Sequence, residues 1–328
     1  MASTTARSRA DDARVIELAR LDDPATAREL VASLERRGAA CARLPPRGAA
    51  RVRRLHASAR EFFESTSPAA KRACGVEGVL ASVGPAAVRA GWCAPTPAKE
   101  LVRLFGDAPE HCPNLPPTLR RRAAAARGAL HAAVAAALRA ALADDTGGAG
   151  GGGDALGARA LADACGGGGG GERRASPPNC PLDLFLYSNS RAAADHPNCT
   201  AHVDRGLLSA IVVSPVRGLA LWDDGAPRGG GGGGGDDGGG GGGAFVAVEA
   251  LWPACEPLRD VVLIVNAALA ELRPRRFARA CAHLVYKADA PRLSISYEVR
   301  LAWRVDGAAW LRGAARKRKR TAEAAPRS

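Results

Sequence analysis

Aromatic side chains are scarce in this chain, with six Phe, five Trp and three Tyr in 328 residues. Much of the hydrophobic content is alanine, so the core is expected to be less aromatic than most. The shortage also bears on partners. Residues 312–328 carry seven basic side chains and one acid, a net +6 of the chain's +13, with no aromatic interleaved to stack on bases as a single-strand binder requires. The run RKRKR at 316–320 fits a solvated tail or a nuclear address, and nucleic acid is not the expected partner class.

Paired cysteine motifs are missing too. The nine cysteines form no Cys-x-x-Cys pair and their total is odd, which speaks against a zinc ribbon or a disulfide framework. Cys199 and Cys281 do lie near His202 and His283, which keeps a closed, four-coordinate zinc site open as an alternative. No segment reaches the ~18 consecutive apolar residues of a membrane span, so no membrane partner is expected. The first ten residues, MASTTARSRA, lack acids in the manner of a transit peptide, but Asp11 and Asp12 follow at once. The expected location is the cytoplasm, with the nucleus as the alternative through Arg316 to Arg320.

With 47% hydrophobic residues, a chain of this length can bury one large core without disulfide or metal staples. Glycine tracts at 147–153, 166–171 and 229–243 cannot bury apolar surface and read as loops. The first two separate a mainly helical region, 13–145, from a strand-rich one, 176–305, across a linker at 146–175; a basic tail, 306–328, follows. Leu119 to Leu142 is the clearest helix, with Leu130, Val134, Leu138 and Leu142 on one face.

The chemistry lies in five residues. His202 and Asp204 stand in CTAHVDRGLLSAIVV, His283 in ACAHLVYK, and Arg292 with Ser294 in PRLSISYEVR. Two imidazoles and a carboxylate can hold a non-haem Fe(II) on one face and leave positions open. On an extended strand, residues i and i+2 point the same way, so His202 and Asp204 can reach one ion while Val203 turns aside. Arg292 and Ser294 repeat that spacing, and a guanidinium fork beside a hydroxyl suits a carboxylate; Leu293, Ile295 and Tyr297 would then face a core. Apolar strands are expected over 207–213 and 261–265. The plain alternatives are a hydrogen-bonded His202–Asp204 pair near a turn and an Arg292–Glu298 ion pair. His56, His111, His131 and His196 have no metal spacing and read as structural or surface residues.

The runs CPLDLFLYSN, NCTAHVDRGLL, GLALWDDG, AFVAVE, HLVYK and RLSISYEVR resemble the C-terminal half of the isopenicillin N synthase-like Fe(II)/2-oxoglutarate-dependent dioxygenases, in their plant-type small-molecule branch. VIEL, RRGAACARLP, FFE and GWCAPTPAKEL resemble the N-terminal region, so the likeness spans roughly residues 13 to 303. It implies an α+β fold with a double-stranded β-helix (jelly-roll, cupin-like) core and supporting helices. It also implies iron on His202, Asp204 and His283, and 2-oxoglutarate held by Arg292 and Ser294. Tyr187 matches a tyrosine that approaches the same carboxylate, although an ordinary half-buried strand aromatic is an equal reading of it. The implied reaction is oxidation, most often hydroxylation, of a small organic molecule with O2, releasing succinate and CO2; ascorbate is a further allowed cofactor. Nucleic-acid demethylases of this fold carry a second Arg six residues after the first, where this chain has Glu298. Two departures stand out: Phe185 replaces a frequent Asn, and the interval from Asp204 to His283 is lengthened by the third glycine tract. Two other functions fit: a non-catalytic carboxylate-binding protein on the same scaffold, and an iron oxidase-like relative that makes no use of 2-oxoglutarate. Substrate and oligomeric state are not encoded in any motif.

Overall fold

The structure is a computed structural model that describes residues 13–79, 87–106, 112, 114–142, 179–189, 197–224 and 243–301. The first two glycine tracts, nearly all of the third, the basic tail, His111 and His196 lie outside these residues. Among the described residues, thirteen strands form two sheets. The larger contains β1 (Ile16–Glu17), β2 (Ala39–Arg43), β3 (Val76–Val79), β4 (Ala87–Thr96), β5 (Lys99–Phe105), β6 (Pro181–Tyr187), β8 (Leu208–Val212), β11 (Asp260–Val265) and β13 (Arg292–Val299), in the order β1-β2-β11-β8-β13-β6-β5-β4-β3. The smaller contains β7 (Cys199–His202), β9 (Leu219–Asp223), β10 (Ala244–Ala247) and β12 (His283–Val285), in the order β10-β9-β12-β7. Every pairing is antiparallel except β1–β2. Two facing antiparallel sheets with helices on the outer face of the larger one make the α+β double-stranded β-helix, or jelly roll, expected from the sequence.

The outer layer comprises α1 (Pro24–Arg37), α2 (Pro46–Ser65), α3 (Pro68–Ala73) and α4 (Pro117–Leu142). Proline opens each, where its missing N–H costs no helix bond. Asp23 caps α1 by accepting from Ala25 N (3.1 Å) and Thr26 Oγ1 (2.8 Å), satisfying an otherwise free backbone donor. Helix α4 is the expected alanine-rich helix, extended two residues at its start. Leu119, Leu130, Val134 and Leu138 are buried along it, and it packs on α1, α2, β8 and β13. Alanine lets it lie close to these neighbours, which is how a core poor in aromatics still fills its volume. Polar contacts from two residues fix its register: Arg127 donates to Leu104 O and Cys180 O, both at 3.1 Å, and His131 Nδ1 meets the Tyr297 hydroxyl at 3.1 Å. His131 is therefore a structural residue.

The strand periodicity sorts β13 as expected. Leu293, Ile295, Tyr297 and Val299 join the core between the large sheet and the helices. A second core between the two sheets contains Tyr187, Ile211, Val262, Ile264, Trp252 and Val285. Directly paired residues share a face, and the register Ser296↔Ile211↔Val262 sets the even-numbered residues of β13 toward this inner space. Arg292, Ser294, Ser296 and Glu298 therefore make a polar row inside the jelly roll. The sequence reading did not foresee β3, β4 and β5, which extend the large sheet from within the region read as mainly helical.

Leu138→Ala should lower unfolding stability by about 2–5 kcal/mol, since Leu138 is fully buried and the cavity adds to the lost transfer energy. Urea unfolding would measure it. A loss below about 1 kcal/mol would mean that α4 does not pack as described.

Candidate metal centre and carboxylate site

His202 ends β7 and His283 opens β12; the two are paired across the small sheet, with ring centroids 4.2 Å apart. Asp204 completes the group, and the donor atoms of all three lie within 4.8 Å of one another. Asp204 Oδ1 is 3.6 Å from His202 Nε2, and Oδ2 is 4.0 Å from His283 Nε2. This corrects one detail of the sequence reading: Asp204 lies beyond the end of β7, in the turn leading to β8, so no continuous strand presents the two ligands.

That turn is held from several sides. Ala267 N donates to Asp204 O (3.0 Å) and Asn266 N to Leu207 O (3.1 Å). Gly206 passes so close to β13 that a Cβ there would meet Val299 O at 2.4 Å, so glycine is required. Its N–H donates to Glu298 Oε1 at 2.5 Å, and Glu298 is also gripped by Arg300, at 2.8 and 2.5 Å. Glu298 thus ties the ligand turn to β13; it does not pair with Arg292, which removes the plain alternative for that arginine.

Each ligand is oriented by a neighbour. The Ser209 hydroxyl donates to Asp204 Oδ2 at 2.7 Å and itself meets the side-chain amide of the fully buried Asn266 at 2.9 Å. His202 Nδ1 lies 2.8 Å from Thr200 O, and His283 Nδ1 lies 3.5 Å from Cys281 O. Donation from Nδ1 leaves each Nε2 lone pair for an ion, as in metal sites whose outer partners set the tautomer. The side chain of His202 is 40% exposed and that of His283 only 4%, so the group is open to solvent on the His202 side. Neither Cys199 nor Cys281 joins the group among the described residues, which removes support for the zinc alternative.

The electrostatics suit a cation. Burial opposes ionisation of Asp204, but hydrogen bonds from His202 and Ser209 and the nearby His283 hold its carboxyl at about 2. Hydrogen bonding to Asp204, then to Cys199, pushes His202 up to about 10, whereas burial lowers His283. His202 therefore favours its protonated form at neutral pH, in the place a cation would take.

The candidate carboxylate site starts at the other end of the polar row. Arg292 is 1% exposed; its Nε donates to Val216 O at 3.1 Å, but its buried Nη1 has no hydrogen-bond partner among the described residues. Burial, the largest influence, pulls its pKa below the ordinary value, partly offset by Tyr187 and Glu249. A buried guanidinium with an unmade hydrogen bond is costly, and a bidentate carboxylate would remedy the defect. Gly218, at φ +135°, leaves room beside the Arg292 side chain, where an added Cβ would meet Tyr286 O at 2.8 Å. Ser294 stands one row inward on the same face, opposite Phe185, and is buried; Tyr187 lies directly across from Arg292 on β6. Burial raises the Tyr187 phenol, so it stays protonated as a donor. Phe185 stacks on it at 6.0 Å. Sequence reasoning missed Ser209, Asn266 and the clamping role of Glu298. The only signal was a polar residue within or directly after an otherwise apolar strand.

Comparison with known proteins agrees with the fold. No family model and no curated protein matches the chain. Among solved structures, it is similar to a dioxygenase for auxin oxidation in rice, at 20% identity and TM-score 0.57, over 87% of this chain and 82% of that one. It is also similar to a full-length Neurospora crassa protein solved in complex with alpha-KG and 5-formyluracil, at 15% identity and TM-score 0.59, over 88% and 84%. A third is the auxin-oxidation dioxygenase 1 of Arabidopsis thaliana in complex with 2-oxoglutarate, at 14% identity and TM-score 0.59, over 88% and 92%. At these identities the likeness establishes a shared fold.

Because His202 must lose its proton to bind an ion, Mn(II) binding should release about one proton at neutral pH and strengthen about tenfold per pH unit between pH 7 and 9. Calorimetry in buffers of different ionisation enthalpy measures the release. A pH-independent affinity would show that His202 is already neutral. Ser209→Ala should weaken Mn(II) binding by about 10–100-fold.

Proposed function

We propose that the protein is an Fe(II)- and 2-oxoglutarate-dependent dioxygenase that oxidises a small organic molecule. The observation that carries this reading is the pairing, inside one jelly roll, of an open His202–Asp204–His283 group with a buried guanidinium whose Nη1 lacks a partner among the described residues. Two neutral imidazole nitrogens and one carboxylate are the donor set that non-haem Fe(II) takes while leaving positions for other ligands. Bound there, iron(II) and 2-oxoglutarate supply O2-dependent decarboxylation to succinate and CO2, together with the oxidising power to hydroxylate a substrate.

The protein's own contributions follow from the geometry. Arg292 receives the far carboxylate of the keto acid, with Ser294 and the protonated Tyr187 as donors beside it. Asp204, fixed by Ser209, keeps its charge aimed at the ion. Leu221, Val285 and Ile211 wall the inner space with apolar surface, which limits water around the reacting groups. The fold relatives support the reading: one is a dioxygenase for auxin oxidation, and another was solved with 2-oxoglutarate. Glu298, in the position where nucleic-acid demethylases carry arginine, is occupied with Gly206, which favours a small molecule.

Anaerobically iron-loaded protein given O2 and 2-oxoglutarate should form succinate slowly even without a prime substrate. Asp204→Ala should abolish this formation. Arg292→Met should weaken 2-oxoglutarate use by roughly 2–5 kcal/mol, the usual cost of truncating one side of a buried charge pair. Iron binding with no succinate from the wild-type protein would instead indicate an oxidase-like relative or a binding protein.

A further inference from the structure

Lys99 is a cation at the same cavity to which none of the roles above applies. It is the first residue of β5, just after the turn Pro97–Ala98 that follows β4, and it pairs directly with Tyr187, which pairs with Arg292. Lys99, Tyr187 and Arg292 therefore form one row on the inner face of the large sheet. The ammonium lies 4.7 Å from the centre of the Phe185 ring and 5.4 Å from that of Tyr187. It is also 4.0 Å from Cys199 Sγ, which is 3.8 Å from His202 Nδ1. Lys99 thus bridges the space between the large sheet and the strand that ends in a metal ligand.

Its surroundings differ from those of three other cations held in or beside the sheets. Arg103 is matched by Asp183 (2.5 Å), Arg43 by Asp260 (2.9 Å) and Lys71 by Glu100 (2.9 Å). Lys99 has no carboxylate partner among the described residues; its contacts are two ring faces and a thiol. Ring faces attract an ammonium but accept no full hydrogen bond, and Lys has three N–H donors to satisfy. Phe185 and Leu101, which occupy the next row with Ser294, offer no other polar group there. A ligand carboxylate would complete this environment through a charge-assisted hydrogen bond.

We propose that Lys99 is a second carboxylate-recognition residue of the cavity, binding a carboxylate other than the one held by Arg292. This rests on the dioxygenase reading above. The carboxylate has two sources: the near carboxylate of the keto acid, or an acid group on the small-molecule substrate. In the second case the substrate is an organic acid.

The test uses the full-length protein loaded with Mn(II), whose affinity Lys99→Met should leave unchanged because the ligands are untouched. In one arm, calorimetry compares 2-oxoglutarate binding to wild type, Lys99→Met and Lys99→Arg. A rise in Kd of at least about tenfold for Lys99→Met, restored by Lys99→Arg, assigns the keto acid as the source. In the other arm, at saturating 2-oxoglutarate, proton relaxation by Mn(II) reports binding of phenylacetate and of phenylacetamide, its uncharged analogue. Relaxation of phenylacetate alone, lost in Lys99→Met while 2-oxoglutarate affinity holds, assigns the substrate. Normal Mn(II) binding with neither measurement altered by Lys99→Met overturns the proposal alone. Failure of the wild-type protein to bind Mn(II) overturns the metal centre and this proposal with it.

Discussion

Strand β13 has two opposite faces with opposite duties, and both halves of the molecule are organised by that alternation. Leu293, Ile295, Tyr297 and Val299 anchor the large sheet to the helical layer, where the Tyr297 hydroxyl meets His131 of α4. Arg292, Ser294 and Glu298 face the inner space, and each is buried. A slip of one residue would exchange the two sets, burying a guanidinium against α4 and exposing leucine to the site. The pairings with β6 and β8 over the strand's length prevent that slip. The same strand thereby places the candidate carboxylate site at its start and clamps the turn that carries Asp204 near its end, through Glu298 and Gly206.

Charge within the inner space is left uncompensated at chosen places. Several half-buried cations among the described residues are matched by carboxylates, as in Arg103–Asp183 and Arg43–Asp260. Arg292 and Lys99 have no carboxylate partner among the described residues, and both lie in one row on the inner face of the large sheet. The cost of holding them unpaired is expected at a functional site and would be unexplained in a purely structural core. Asp204 is the complementary case: its carboxyl is held low and accepts from Ser209, whose hydroxyl in turn meets Asn266, in a position that two imidazoles share.

Much of this was legible in the chain. The His-x-Asp and the distal His come together in one group, and the Arg-x-Ser lies buried on the inner face of β13. The helix over Leu119–Leu142 and the inward and outward faces of β13 followed from residue spacing alone. What escaped was set by long-range contact. Asp204 sits in a turn because Gly206 must pass under β13, a constraint arising 92 residues away in sequence. Glu298 looked like a partner for Arg292 because both are on one strand face, but Arg300 and Gly206 N satisfy it first. Lys99 carried no motif, and only the register of β5 against β6 brings it to the cavity. Strands β3 to β5 lie among longer helical runs, where local pattern favours helix.

The most direct test of the dioxygenase account is the anaerobic absorption spectrum of the protein with Fe(II), before and after 2-oxoglutarate is added. The account predicts a weak visible charge-transfer band that requires both additions and is lost in His202→Ala and Arg292→Ala. A band that forms without 2-oxoglutarate, or survives in Arg292→Ala at the same keto-acid concentration, would contradict it.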